Sequence, residues 1–279
     1  MGRMAHLQCH ETHTLRPAVS RFLVVNPRAG DAVPGVEELV RTAGARGVET
    51  HVLVEGENAA EIARRADADV IGIAGGDGSL AAVAAVALER GVPFVCVPFG
   101  TRNHFARDLG LDRDDPVAAV AAFDGRERRI DVARAGDRLF LNNVSLGLYA
   151  RLVHRRERHR RRRQALARAR AWLILLTHRD PLGITVNGEP RDTRLVVVAN
   201  NRYELELPTV GARDRLDEGV LYLYMLGGAA AGECGERFRI DSAAGRLEAA
   251  VDGEPEVLAT PIEFRIEPRA LRVLVPPDT

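Results

Sequence analysis

From residue 21 to residue 109, short apolar runs alternate with helix-like segments, and this alternation constrains the fold more than any other feature of the chain. "RFLVV" (21–25), "ETHVLV" (49–54), "VIGIA" (70–74) and "PFVCV" (93–97) read as strands, most of them continuously apolar as in a sheet buried on both faces. Between and after them, 35–46, 57–67, 79–90 and 101–109 read as helices. Strands joined through helices pair in parallel, so the pattern predicts a doubly wound α/β domain over 21–130. Ligands of such sheets sit beyond the carboxyl ends of the strands.

The character changes near residue 130. "RRIDVARAGDRLFLNNVSLGLY" reads as paired strands around a turn, followed by an arginine-rich helix over 151–176. Then come "LGITVNGEPRDTRLVVVAN", "GVLYLYML", "GRLEAAVDGEPEVL", "PIEFRIE" and "ALRVLV", with turn dipeptides at Asn187-Gly188 and Asp252-Gly253. The expected architecture is α/β + β: a parallel α/β domain at 21–130 and a mainly antiparallel β domain at 131–270. Residues 1–20 are expected to form a loose leader, without the apolar core of a signal peptide.

Two strand ends in the first domain carry chemistry. "VIGIA" runs into Gly75-Gly76-Asp77-Gly78-Ser79, and "PFVCV" runs into Gly100-Thr101-Arg102-Asn103. Glycines admit close approach to the backbone, and the free N–H groups at a helix start attract anions. Ser79 or Asp77 can cap the helix that follows. Asp77 would repel a phosphate unless a cation stood between them, so one reading is a nucleotide phosphate with Mg²⁺ on the Asp77 side. The other is a tight strand-to-helix turn with an aspartate cap.

Composition narrows the chemistry further. The chain of 279 residues has no lysine, so any phosphate is held by backbone N–H groups, arginine or metal. Its cysteines, Cys9, Cys96 and Cys234, are scattered and form neither a disulfide framework nor a zinc pattern. Net charge is zero, yet residues 151–170 hold ten arginines against one acid, Glu157. An apolar stretch with Trp172 follows, a combination that suits an anionic membrane surface; a solvated charged helix is the plainer reading. Nucleic acid is disfavoured, because the run lacks interleaved aromatics.

Gly75–Ser79 resembles the GGDGT/S signature of the diacylglycerol kinase and sphingosine kinase catalytic family, shared more distantly with NAD kinases. "PFGTRNHFARDLGL" (98–111) is similar to the family's P-x-G-T-x-N-D-F-A-R motif, and "NPRAG" (26–30) to its N-P-x-x-G loop. "RRID" ending at Asp131, "RLDEG" (215–219) and "VDGE" (251–254) follow in the family's order. The resemblance implies ATP-dependent phosphorylation of a lipid hydroxyl at the inner membrane face, by a cytoplasmic, peripherally bound enzyme. It implies nucleotide contacts at Asn26, Pro27, Arg28, Gly30, Gly75, Gly76, Gly78, Ser79, Gly100, Thr101 and Asn103. It implies Mg²⁺ near Asp77, Asp131, Asp217 and Glu218, with Asp77 and Glu254 catalytic. It also suggests that the last strand, about 271–276, returns to the first domain; a homodimer is left open.

The chain departs from the family at three positions. His104 replaces the aspartate of N-D-F-A-R, Asp31 replaces a lysine, and Glu218-Gly219 replaces Asp-Gly. On turn chemistry alone Glu254 is a solvated charge after a hairpin. Two other functions therefore stand beside the lipid kinase: a lipid- or nucleotide-binding protein with impaired catalysis, motivated by His104, and a soluble-substrate kinase of NAD-kinase type.

Overall fold

The computed structural model describes residues 19–29, 35–100, 103–147, 181–204, 212–226 and 232–277. The arginine-rich segment 151–176, Gly30 and Thr101 lie outside these residues.

The first half alternates as its apolar pattern requires. β1 (Arg21–Val25), α1 (Val36–Ala45), β2 (Glu49–Val52), α2 (Ala59–Arg65), β3 (Val70–Gly75), α3 (Asp77–Arg90), β4 (Phe94–Pro98) and the short α4 (His104–Asp108) follow in order. α5 (Pro116–Ala119) continues into a 3₁₀ turn, Val120–Asp124. The strands pair in parallel in the order β2-β1-β3-β4, with Phe22 opposite Ile71 and Ile71 opposite Phe94. Helices cover both faces. Leu80, Val83 and Ala87 of α3 join one buried cluster with Ile71 and Phe94, and Leu39 and Ala43 of α1 join another with Leu23 and Val95. Each fully buried Leu, Val or Phe contributes about 1.5–3 kcal/mol.

The second half is antiparallel. It comprises β5 (Arg126–Ala135), β6 (Arg138–Phe140), β7 (Asn143–Gly147), β8 (Ile184–Val186), β9 (Glu189–Arg191), β10 (Leu195–Asn200), β11 (Leu221–Leu226), β12 (Glu233–Gly235), β13 (Arg237–Ser242), β14 (Arg246–Val251), β15 (Glu254–Ala259) and β16 (Ile262–Val275). β12-β11-β10-β7-β14-β15 form their own sheet. Its inner face, with Val144, Val198 and Leu223, packs on Phe140, Phe238 and Phe264 of the other sheet. The fold is thus a parallel α/β layer joined to an antiparallel β layer, as the sequence pattern implies.

"PIEFRIE" and "ALRVLV" are one strand, β16, rather than two. It pairs antiparallel with β5 along its length, with a bulge between Glu267 and Leu271. Beyond the bulge Val273 and Leu274 also pair in parallel with Phe94 and Val95 of β4. Before it, residues 262–265 pair with β13. One strand therefore ties the parallel layer to the antiparallel one, and β5 runs through residue 130 beside it without a break.

Candidate functional site

The site forms where the two glycine turns meet. β3 ends at Gly75, Gly76 precedes the first turn of α3, and β4 ends just before Gly100. A Cβ on Gly100 would lie 2.6 Å from the Cα of Gly76, so the two backbones touch where a side chain would hold them apart. Asn103 locks the second turn. It is buried with φ 47°, its Oδ1 accepts from Gly100 N at 2.9 Å, and its Nδ2 donates to Gly100 O at 2.8 Å. Asn26, at the end of β1, donates its N–H to Ala74 O (2.9 Å) and accepts from Arg28 N (3.1 Å). Arg28 is exposed and reaches Val54 O at 3.4 Å; Pro27 stands between them.

No side chain caps α3. Ser79 Oγ instead donates back to Gly76 O at 2.9 Å. Asp77 opens α3 but serves the neighbouring helix: its carboxylate accepts from His104 N (3.3 Å) and Phe105 N (3.2 Å), the first amides of α4. This corrects the expectation that Asp77 or Ser79 caps its own helix. The physical reason is direction: an aspartate at the first helical position is already past the capping geometry.

Glu254 reaches this point from the second half of the molecule. It begins β15, and a Cβ on Gly78 would fall 2.5 Å from Glu254 Oε1 and 2.7 Å from its Cδ. The carboxylate therefore stands against the first turn of α3, beside Asp77, although 176 positions separate it from Gly78 in the chain. The hairpin before it is anchored by Asp252, in left-handed conformation at φ 48°. Its buried carboxylate accepts from Leu141 N (2.8 Å), Asn142 N (2.7 Å) and Asn143 N (3.1 Å). Burial pushes its pKa up to about 6, opposed by these amides and reinforced by the charge of Asp77.

With this geometry in hand, known proteins are informative. Residues 20–135 match the model of the diacylglycerol kinase catalytic domain. The chain is 29% identical over 133 residues to "Probable lipid kinase YegS-like" of Klebsiella pneumoniae (strain 342), covering 45% of this chain and 44% of that protein. It is 33% identical over 139 residues to an NAD kinase of Geobacter sp. (strain M21), covering 43% and 46%. The chain thus spans under half the length of these curated relatives. The solved structure of a diacylglycerol kinase from Bacillus anthracis str. Sterne superposes with a TM-score of 0.70 at 20% identity, over 94% of this chain and 98% of that one. That likeness is one of fold.

The segment that matches the diacylglycerol kinase catalytic domain ends at residue 135 and so includes Asp131. Asp131 does not face the glycine turns with Asp77. It is buried opposite the bulge of β16, where it accepts from Arg269 N (2.7 Å) and Gly219 N (2.6 Å). Asp217 pairs with Arg215 (3.1 Å) and Arg269 (3.4 Å), and Glu218 accepts from Arg202 N at 3.0 Å. Among the described residues no three His, Cys, Asp or Glu side chains gather as a metal-binding group. The carboxylates at 131 and 218 accept from backbone amides, and that of Asp217 pairs with guanidinium groups.

Asp252 was legible only as a turn former. Arg213, inside "GARDRLDEG", is fully buried and bridges Asp108 to the second sheet; nothing in its neighbours along the chain announces that. A groove of about 710 Å³ beside Ile184, Thr185, Arg191 and Ser242 lies along β8, β9 and β13 and includes no residue of the glycine turns.

Proposed function

We propose that this protein is an ATP-dependent lipid kinase, transferring the γ-phosphoryl group to a hydroxyl of a diacylglycerol-like lipid. One observation carries the reading. The Glu254 carboxylate stands against Gly78 at the start of α3, so a hydrogen-bond acceptor from one layer adjoins an anion-attracting helix start from the other. Nucleotide phosphates would lie on the backbone N–H groups of Gly75–Ser79 and Gly100–Asn103. Asn26, Pro27 and Arg28 at the end of β1 would line the same crevice. The lipid hydroxyl oxygen attacks the γ-phosphorus, the bond to the ADP oxygen breaks, and the hydroxyl proton passes to Glu254. Phosphoryl transfer depends on positioning and charge neutralisation, so a chain without lysine can perform it. Mg²⁺ would arrive with the nucleotide and supply charge neutralisation when bound. Asp77 adjoins the phosphate site, and its carboxylate holds α4 in place.

The enzyme would work at an anionic membrane surface, on the cytoplasmic side. The ten arginines of 151–170 and the apolar stretch after them support this reading. Among the described residues no helix is long and apolar enough to cross a membrane.

The match to an NAD kinase favours a second reading, a kinase of a soluble nucleotide. His104 favours a third, a nucleotide-binding protein with little turnover. One assay separates them: ATP consumption with diacylglycerol in anionic vesicles, with NAD, and with neither. Phosphorylated lipid is the expected product. Phosphorylated NAD would favour the second reading. Nucleotide binding without turnover, restored by His104→Asp, would favour the third.

A further inference from the structure

We propose that Arg213 is a positioning residue for phosphoryl transfer, setting where Glu254 stands against the glycine turn. The inference rests on the kinase reading above. The Arg213 side chain is 0% exposed and Asp108 is 2% exposed, with Nε 2.7 Å from Asp108 Oδ2. A buried ion pair is poor value as stabilisation, because apolar residues of the same size often do as well. Its partners point to another role.

On one side Asp108 ends α4, the helix whose first amides rest on Asp77. On the other side Arg213 Nη1 donates to Leu141 O (2.6 Å) and Asn200 O (2.9 Å), and Nη2 donates to Asn142 Oδ1 (2.7 Å). The N–H groups of Leu141, Asn142 and Asn143 in turn hold the carboxylate of Asp252, two residues before Glu254. Glu254 closes the circuit on Gly78, next to Asp77. A continuous circuit thus runs α3, α4, Arg213, the 141–143 segment and Asp252 by polar contacts, then along the chain to Glu254, which packs back on α3. The circuit crosses between the parallel and antiparallel layers twice, at Arg213 and where Glu254 meets Gly78. A guanidinium can serve three backbone and side-chain oxygens and a carboxylate at once in a fixed plane; an ammonium cannot.

The test uses the full chain with diacylglycerol in phosphatidylglycerol vesicles, comparing wild type, Arg213→Lys, Glu254→Gln and the double variant. Displacing a catalytic group by an ångström costs about 100-fold in rate. Arg213→Lys is therefore expected to lower kcat by roughly 10- to 100-fold with the KM for ATP changed less than about twofold. In the Glu254→Gln background the same substitution is expected to change kcat by less than about twofold, because the group it positions is already lost. Multiplying losses, or wild-type kcat in Arg213→Lys, would overturn the proposal. Amide hydrogen exchange is the readout independent of turnover: Arg213→Lys should speed exchange at residues 141–143, and unchanged protection there also overturns it. If the wild type phosphorylates nothing, the kinase reading fails, and exchange alone decides whether Arg213 holds this region. If Arg213→Lys does not fold, Asp108→Asn is read by the same measurements.

Discussion

At Gly78 the two layers of the molecule come within a methyl group of each other. Its backbone φ is not in the left-handed region, so alanine is tolerated there and favours the helix by up to about 1 kcal/mol. The added Cβ would overlap the Glu254 side chain from Cγ to its carboxylate, so that side chain has to rotate away from the turn. Gly78→Ala is therefore expected to melt no lower than wild type while losing at least about tenfold in phosphoryl transfer, since Glu254 is displaced. Thermal melting and turnover, measured together, check both halves. Asp252 gives a second prediction. Its pKa lies at about 6 in the folded chain, against an ordinary value of 3.8. Between pH ~4 and ~6 the unfolded chain has released this proton while the folded chain keeps it. Stability from this group is thus fully present below pH ~4 and falls as pH rises to ~6, by on the order of 3 kcal/mol. Urea denaturation of wild type and Asp252→Asn across pH 4–7 should show their difference shrinking by an amount of that order. A difference that stays constant would mean that the three amides outweigh burial.

Elements meet in two ways that their own sequences do not specify. α4 is only five residues long, too short to be stable by itself. It is held at one end by Asp77 and at the other by Asp108 with Arg107 and Arg213. β16 is interrupted by a bulge with Arg269 at φ 50°, and the N–H freed there donates to the buried carboxylate of Asp131. Asp131→Asn replaces one accepting oxygen by a donor facing a backbone N–H. It is expected to destabilise the fold by about 1–3 kcal/mol, the cost of a buried group left unsatisfied. The same loss should appear with and without EDTA. A loss that vanishes when metal is chelated would return Asp131 to the metal-binding role that the family resemblance implies.

Across the whole molecule charge is divided unevenly: residues 151–170 are strongly basic and the remainder acidic by the same amount. If the enzyme works at an anionic surface as proposed, attraction to it is expected to come from this basic segment, screened over about 10 Å at 0.1 M salt. Neutralising Arg160, Arg161, Arg162 and Arg163 to glutamine is expected to reduce sedimentation with phosphatidylglycerol vesicles, at about 1 kcal/mol per charge. Raising salt should weaken the wild type in the same direction. Equal binding to neutral and anionic vesicles at every salt concentration would remove the electrostatic basis of membrane contact.

What the sequence by itself determined is local. Continuous apolar runs of four or five residues made β1, β3 and β4, and glycines at 75, 76 and 100 marked where their backbones could approach one another. β12 and β13 escaped notice because "ECG" and "RFRIDS" are short and half polar, which suits strands covered on one face only. Asp77 and Glu254 stood out by motif order, yet their sequence could not say that one caps α4 or that the other rests on Gly78. Arg213 gave no distinctive signal, while Asp131 and Asp252 stood in motif and turn positions that did not announce which backbone amides their carboxylates accept from. Most of their partners lie about 70 to 140 residues away and are brought near only when β16 joins the parallel and antiparallel layers. The tertiary structure decided these roles, since a buried charge takes its meaning from the groups that replace water around it.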